Sequence, residues 1–180
     1  MGFGAWYLKF TILSMRKIVI VAHNLRSSHN VGSLLRTADG LGVNNVFLTG
    51  YTPYPSMKKD VRLAHIANKV NHQISKTALG AEKSVNWANS PAIEPILEEL
   101  KRSGYQICAL EQGSKSINLV NFNPPNMVAL ILGRETEGIE PEILKLADKQ
   151  LEIPMLGKKE SFNVVQAAAM AIYHLLYFKV

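Results

Sequence analysis

The sequence predicts a single α/β domain with a mainly parallel sheet flanked by helices. Three observations carry that expectation. Short apolar, β-branched runs alternate with stretches of helical periodicity. Runs such as Ile18–Ala22 and Met127–Leu132 are apolar throughout, as strands buried on both faces are. A chain of 180 residues buries enough apolar surface to fold without a disulfide or a structural metal.

Taken in order, the first strand is expected at Ile18–Ala22, followed by a helix from about Asn30 to Leu41 and a strand at Asn45–Leu48. Between Tyr51 and Ser90 the pattern weakens, because Pro53 and Pro55 break regular structure. A helix is expected there from about Lys59 to Asn71, and Lys76–Gly80 reads as a helix ending at its glycine. Arg62, His65, Lys69 and His72 recur every three or four positions, so they share one helical face. That face suits an RNA backbone, although an ordinary solvated surface is the commoner reading of such a pattern. A helix at Ile93–Ser103 leads into a strand at Tyr105–Leu110, and Met127–Leu132 forms another apolar strand. A short helix at Pro141–Ala147, a strand at Gln150–Ile153 and a long helix at Asn163–Phe178 complete the series. No repeat, low-complexity tract or linker divides it.

Residues 1–15 are expected to be an N-terminal extension or an artefact ahead of a domain at 16–180, with Met15 as an alternative start. They lack the charged leader and the small-residue cleavage site of a signal peptide and are too short to span a bilayer. Trp6 stands where a myristoylation motif needs Ser or Thr. The lone Cys108 lies inside an apolar run and reads as a packed thiol, which points to a reducing, cytoplasmic setting; no membrane or metal partner is expected.

The net charge is +6, unevenly spread. Residues 1–81 hold ten Lys and Arg against Asp39 and Asp60, whereas residues 82–180 come to −2. Such asymmetry fits a polyanionic partner, because each phosphate contact releases counterions.

Three segments carry candidate chemistry. The first, Asn24–Val43, joins a strand end to a helix start. Asn30 is expected to cap that helix, Gly32 to let a neighbour approach closely, and Arg36 to lie on its opening turns. The second, Leu130–Gly138, runs from a buried strand through Gly133 to Glu135. The carboxyl ends of strands are where open α/β sheets bind ligands. Gly133 would there admit a flat group against the backbone, and Glu135 would fix a helix end, bond a ligand amine or orient Arg36. The third, Ile153–Met170, is a strand, a glycine-bearing loop and a helix, with Ser161 as the expected cap and Asn163 in the first turn. Its Ala167–Ala169 run demands close packing. Each segment alone reads equally well as a capped helix, a polar turn or a tight core helix.

In this order and spacing the three resemble the motifs of the SpoU/TrmH family within the SPOUT superfamily: Asn30, Gly32 and Arg36; Gly133, Glu135 and Gly138; Ile153, Pro154, Ser161 and Asn163. The match extends over nearly the whole chain from about Ile18; Phe162 stands where leucine is usual, and Val165 with Gln166 alters the helix after Asn163. The resemblance implies a C-terminal deep trefoil knot, an exception to the rule against knots. It implies S-adenosyl-L-methionine held in the knot near Leu110, Gly133, Ile153 and Phe162, and a homodimer with the active site at its interface. The implied activity is 2′-O-methylation of RNA ribose, on tRNA ahead of rRNA because almost no residues remain for a separate recognition domain. Arg36, Asn30, Glu135, Ser161 and Asn163 are the catalytic candidates. The family assigns Arg36 the part of general base, yet an arginine stays protonated; gripping an RNA phosphate and stabilising the alkoxide suits it better, with Asn30 and Glu135 holding it. The rival readings are a catalytically silent knotted RNA-binding module and a base-nitrogen methyltransferase of the same fold. A nucleotide-dependent oxidoreductase is disfavoured because no G-x-G-x-x-G opens the first helix.

Overall fold

The computed structural model describes residues 16–178. The extension expected at residues 1–15, including Met15 as a start, lies outside them. Seven strands form one sheet in the order β3-β2-β1-β6-β4-β7-β5, and every pair is parallel. The strands are β1 (Lys17–His23), β2 (Asn45–Thr49), β3 (Trp87–Ser90), β4 (Gln106–Leu110), β5 (Ile117–Asn118), β6 (Met127–Leu132) and β7 (Lys149–Glu152). The helices are α1 (Ser28–Gly40), α2 (Ala64–Ala78), α3 (Ala81–Ser84), α4 (Glu94–Arg102), α5 (Pro141–Leu144) and α6 (Val164–Tyr177).

Strand alternation divides the core into two layers. Ile18, Ile20 and Ala22 of β1 face α1, α2 and α6, whereas Val19 and Val21 face α4 and α5. Central β1 and β6 are paired from Lys17↔Met127 to Ala22↔Leu132, and burial on both faces explains their unbroken apolar sequence. Strand β7 lies between β4 and β5, both of which precede it in the chain. The end of α6 is tied back to the start of β1: Arg16 Nη1 donates to the carbonyls of Leu175, Leu176 and Phe178 at 3.2, 3.4 and 2.8 Å. No described helix is long and apolar enough to cross a membrane.

The strands and helices expected from periodicity form, with three corrections. Helix α2 begins at Ala64 instead of Lys59, because Asp60 and Arg62 close a turn on each other and Arg62 stacks on Tyr54, 3.6 Å from the ring centroid. It then runs to Ala78, where Leu79 and Gly80 take left-handed conformations. Helix α5 is one turn, ending at Leu144 instead of Ala147. Strands β3 and β5 and helix α3 were not expected; all are four residues or shorter, too brief to show a period.

Candidate active site

The second and third sequence segments meet the loop after β4 around a cleft of about 280 Å³ at the carboxyl ends of β4, β6 and β7. Its walls come from Leu110 and Glu111 after β4, Gly133–Thr136 after β6, Ile153 after β7, and Glu160–Phe162 leading into α6. Leu110, Gly133, Ile153 and Phe162, the four cofactor candidates, all line it, as do Glu135 and Ser161. Asn30, Arg36 and Asn163 stand outside its wall.

Asn30 and Asn163 nevertheless join that wall through hydrogen bonds. Asn30 Nδ2 donates to Glu135 Oε1 at 3.0 Å, and Asn163 Nδ2 donates to Asn30 Oδ1 at 3.3 Å. One amide therefore bridges the first, second and third segments. It is free to do so because Asn30 is not the cap of α1. Ser27 is the cap, its hydroxyl accepting from the Asn30 N–H at 3.2 Å. The expected cap of α6 is likewise replaced: Asn163, not Ser161, caps it by accepting from the Val165 N–H at 2.9 Å.

Glu135 also accepts from the backbone N–H groups of Arg26 and Ser27, at 3.3 and 3.4 Å. Burial pushes its carboxyl up, but the bonds from Asn30, from its own N–H and from Arg26 and Ser27 outweigh that and hold it below the ordinary value. Glu135 is thus a carboxylate at neutral pH, anchored to the loop that opens α1.

Arg36 is not held by Asn30 or Glu135. It is exposed, and among the described residues its side chain makes no hydrogen bond or ion pair. Helix geometry gives the reason: six residues after Asn30 it lies about 9 Å along the axis and about 120° around it. Near it, Thr37 and Gly40 of α1, Leu41 just after it, and Ala169, Met170 and Tyr173 of α6 form a shallow apolar surface. The same helix α6 lines the cleft with Val164 and Ala167, while Ala168 of its small-residue run packs in the core.

The glycines act through packing. A Cβ on Gly32 would strike the Ile74 carbonyl oxygen and Thr77 Oγ1, so the expected close neighbour is α2. Gly133 lines the cleft, and a Cβ there would lie 2.7 Å from both Gly138 C and Ile139 N, so close packing within its own loop is what requires the glycine.

Glu111 and Asn24 also shape the site and were not singled out in the sequence. Glu111 Oε2 accepts from the Ile139 N–H at 2.9 Å, clamping the 133–139 loop. Asn24, at φ 58°, donates to Glu140 at 2.8 Å and accepts from the Tyr51 N–H at 3.1 Å. Its signal was an asparagine at a strand end, a residue that tolerates the left-handed region. Beside it His23 is buried against Thr49 (2.9 Å), and burial lowers its pKa in spite of Glu140 nearby.

A parallel sheet with a ligand-sized cleft at its carboxyl edge, walled by loops from three strands, defines a ligand-binding α/β domain. Residues 17–173 match the profile of the SpoU rRNA Methylase family, and the chain belongs to that family. It is 30% identical over 161 residues to the tRNA (guanosine(18)-2′-O)-methyltransferase of Aquifex aeolicus, covering 88% of this chain and 68% of that one. Against the 23S rRNA (guanosine-2′-O-)-methyltransferase of Neisseria meningitidis identity is 29%, over 89% of this chain and 58% of the other. The AdoMet-bound rRNA methyltransferase of Sinorhizobium meliloti superposes with a TM-score of 0.75 at 20% identity, over 89% of this chain and 56% of that one. The chain therefore spans about two thirds of the Aquifex enzyme and little more than half of the other two.

Proposed function

We propose that this chain methylates a ribose 2′-hydroxyl of RNA with S-adenosyl-L-methionine, acting on tRNA ahead of rRNA as a knotted homodimer. The observation that carries this reading is the bridge from Glu135 through Asn30 to Asn163, which ties three loops together around one cleft. The cleft suits the cofactor. Leu110, Ile153 and Phe162 offer apolar surface to a nucleoside, and Glu111, Glu135, Glu152 and Glu160 outnumber Arg134 along the wall, favouring a cation. When bound, the cofactor supplies a methyl group on a positively charged sulfur. The chain's task is to align a hydroxyl oxygen with that methyl and to stabilise the charge developing on the oxygen. Glu135 and Asn30 hold the loop before α1, while Ser161 lines the cleft and Asn163 bonds Asn30 beside it.

Arg36 is assigned to the RNA phosphate and the developing alkoxide, because a guanidinium keeps its protons. Its position on the outer side of α1, beside the apolar surface around Met170 and Tyr173, supports delivery into the cleft of a partner copy. Exposed Tyr173 and Tyr177, with ring centroids 4.8 Å apart and planes tilted by 46°, extend that surface. The place of β7 between two earlier strands supports a threaded C-terminal segment.

The test is to incubate the protein with methyl-labelled S-adenosyl-L-methionine and separate tRNA and rRNA pools, then identify the labelled nucleoside. A 2′-O-methylnucleoside from tRNA is expected. A methylated base would move the chain to the base-nitrogen class, and cofactor binding without transfer to either pool would favour a silent binding module. Arg36→Ala should lower turnover by about 100-fold or more while cofactor affinity holds; unchanged turnover would remove Arg36 from the reaction.

A further inference from the structure

We infer that the outer face of α2 is the track on which the RNA backbone lies on its way to the cleft, an inference that rests on the RNA-methylation reading. At about 100° per residue, His65, Lys69, His72 and Lys76 fall within an arc of about 60°, and all four are exposed. Ala67, Ile74 and Ala78 lie on the opposite side, buried against the core. The exposed strip is about 16 Å long by helix rise.

Its charge is uncompensated. Helix α2 contains no acidic residue. The two aspartates of this half of the chain are engaged elsewhere: Asp60 pairs with Arg62 at 2.6 Å, and Asp39 accepts from Ser84 Oγ at 2.6 Å. Among the described residues, Lys69 and Lys76 of α2 take part in no ion pair, whereas on α4 Lys101 pairs with Asp148 and Arg102 with Glu99. Cations left unpaired on one face are what a polyphosphate attracts.

The strip leads to the site. Thr77 Oγ1 donates to the His29 carbonyl at 2.8 Å, and Gly32 lets α1 and α2 meet without an intervening side chain. The end of the strip at Lys76 is thereby fixed beside exposed His29, the neighbour of Asn30. A strand lying along α2 would arrive at the loop that Glu135 anchors.

The experiment measures binding of unfractionated tRNA across salt concentrations for the unmodified protein, for Lys69→Ala/Lys76→Ala, and for Lys101→Ala/Arg102→Ala on α4. Cofactor affinity and thermal unfolding serve as checks on the fold. Each lysine–phosphate contact adds about 0.7–0.9 to the slope of log affinity against log salt. The α2 variant should therefore lose about 1.5 of slope and, near 0.1 M salt, bind about tenfold or more weakly, whereas the α4 variant keeps both. An unchanged slope in the α2 variant, or equal losses in the two variants, would overturn the inference. Failure of the unmodified protein to bind tRNA in a salt-dependent way would overturn the tRNA reading beneath it.

Discussion

Replacing Asn30 by aspartate changes one group at the centre of the site. Nδ2, which donates to Glu135 Oε1 at 3.0 Å, becomes a carboxylate oxygen, while the atom that accepts from Asn163 is kept. Attraction between an amide and a carboxylate turns into repulsion between two carboxylates, with almost no change of shape. At that 3.0 Å separation two unit charges interact by about 1.4 kcal/mol in a water-like dielectric and by about 5.5 kcal/mol at an effective value near 20. Both side chains are partly exposed, so a destabilisation of about 1–3 kcal/mol is expected at neutral pH, read as a loss of about 2–4 °C in unfolding temperature per kcal/mol. The pH dependence carries the sign. In the unmodified protein Glu135 titrates below its unfolded value of 4.5, so its contribution is present above that value and is lost as pH falls through the depressed pKa. In Asn30→Asp the pair binds a proton more readily than the unfolded chain does, so the deficit is full at neutral pH and shrinks as pH falls toward about 4.5. Adding Glu135→Gln restores a donor to the pair and should recover most of the loss. A deficit equal at both pH values, or one that Glu135→Gln deepens, would refute the reasoning.

Gly32→Ala should destabilise by about 1–3 kcal/mol through overpacking against Ile74 and Thr77, despite about 1 kcal/mol of improved helix propensity. A lower urea midpoint with an unchanged m value is the expected reading, and a raised midpoint would mean that α2 shifts freely. Cys108 is buried, and its thiol is pushed up to about 12 by burial and then by the Asp148 charge. It should resist iodoacetamide near pH 8 until the chain unfolds; rapid labelling of the folded protein would contradict that.

The layered fold was legible because β1, β4 and β6 are buried on both faces and α1, α4 and α6 carry long apolar stripes. Periodicity failed where side-chain bonds decide. Asp60 delays α2 by gripping Arg62, and Ser27 takes the cap from Asn30 through a single hydroxyl contact. The candidate residues were legible as an ordered set of motifs, and most of them do gather at one cleft. Their division of labour was not. That Asn30 bridges two loops, and that Arg36 points away from both, depends on the azimuth of each residue around α1 and on loops remote in sequence. Glu111 escaped notice because its partner, the N–H of Ile139, lies 28 residues away in the chain.

The placing of β7 bears on how the molecule comes into being. Strands β4 and β5 end up separated by a strand that follows both in the chain, so the slot between them stands empty until β7 has been made. Parallel pairing at such long sequence separation is slow to form. Leu151 and Ile153, which wall the cleft, arrive with that strand. The cleft is then completed only when that strand is in place. A chain cut short before residue 149 should lack the wall that Leu151, Ile153 and the residues leading into α6 supply.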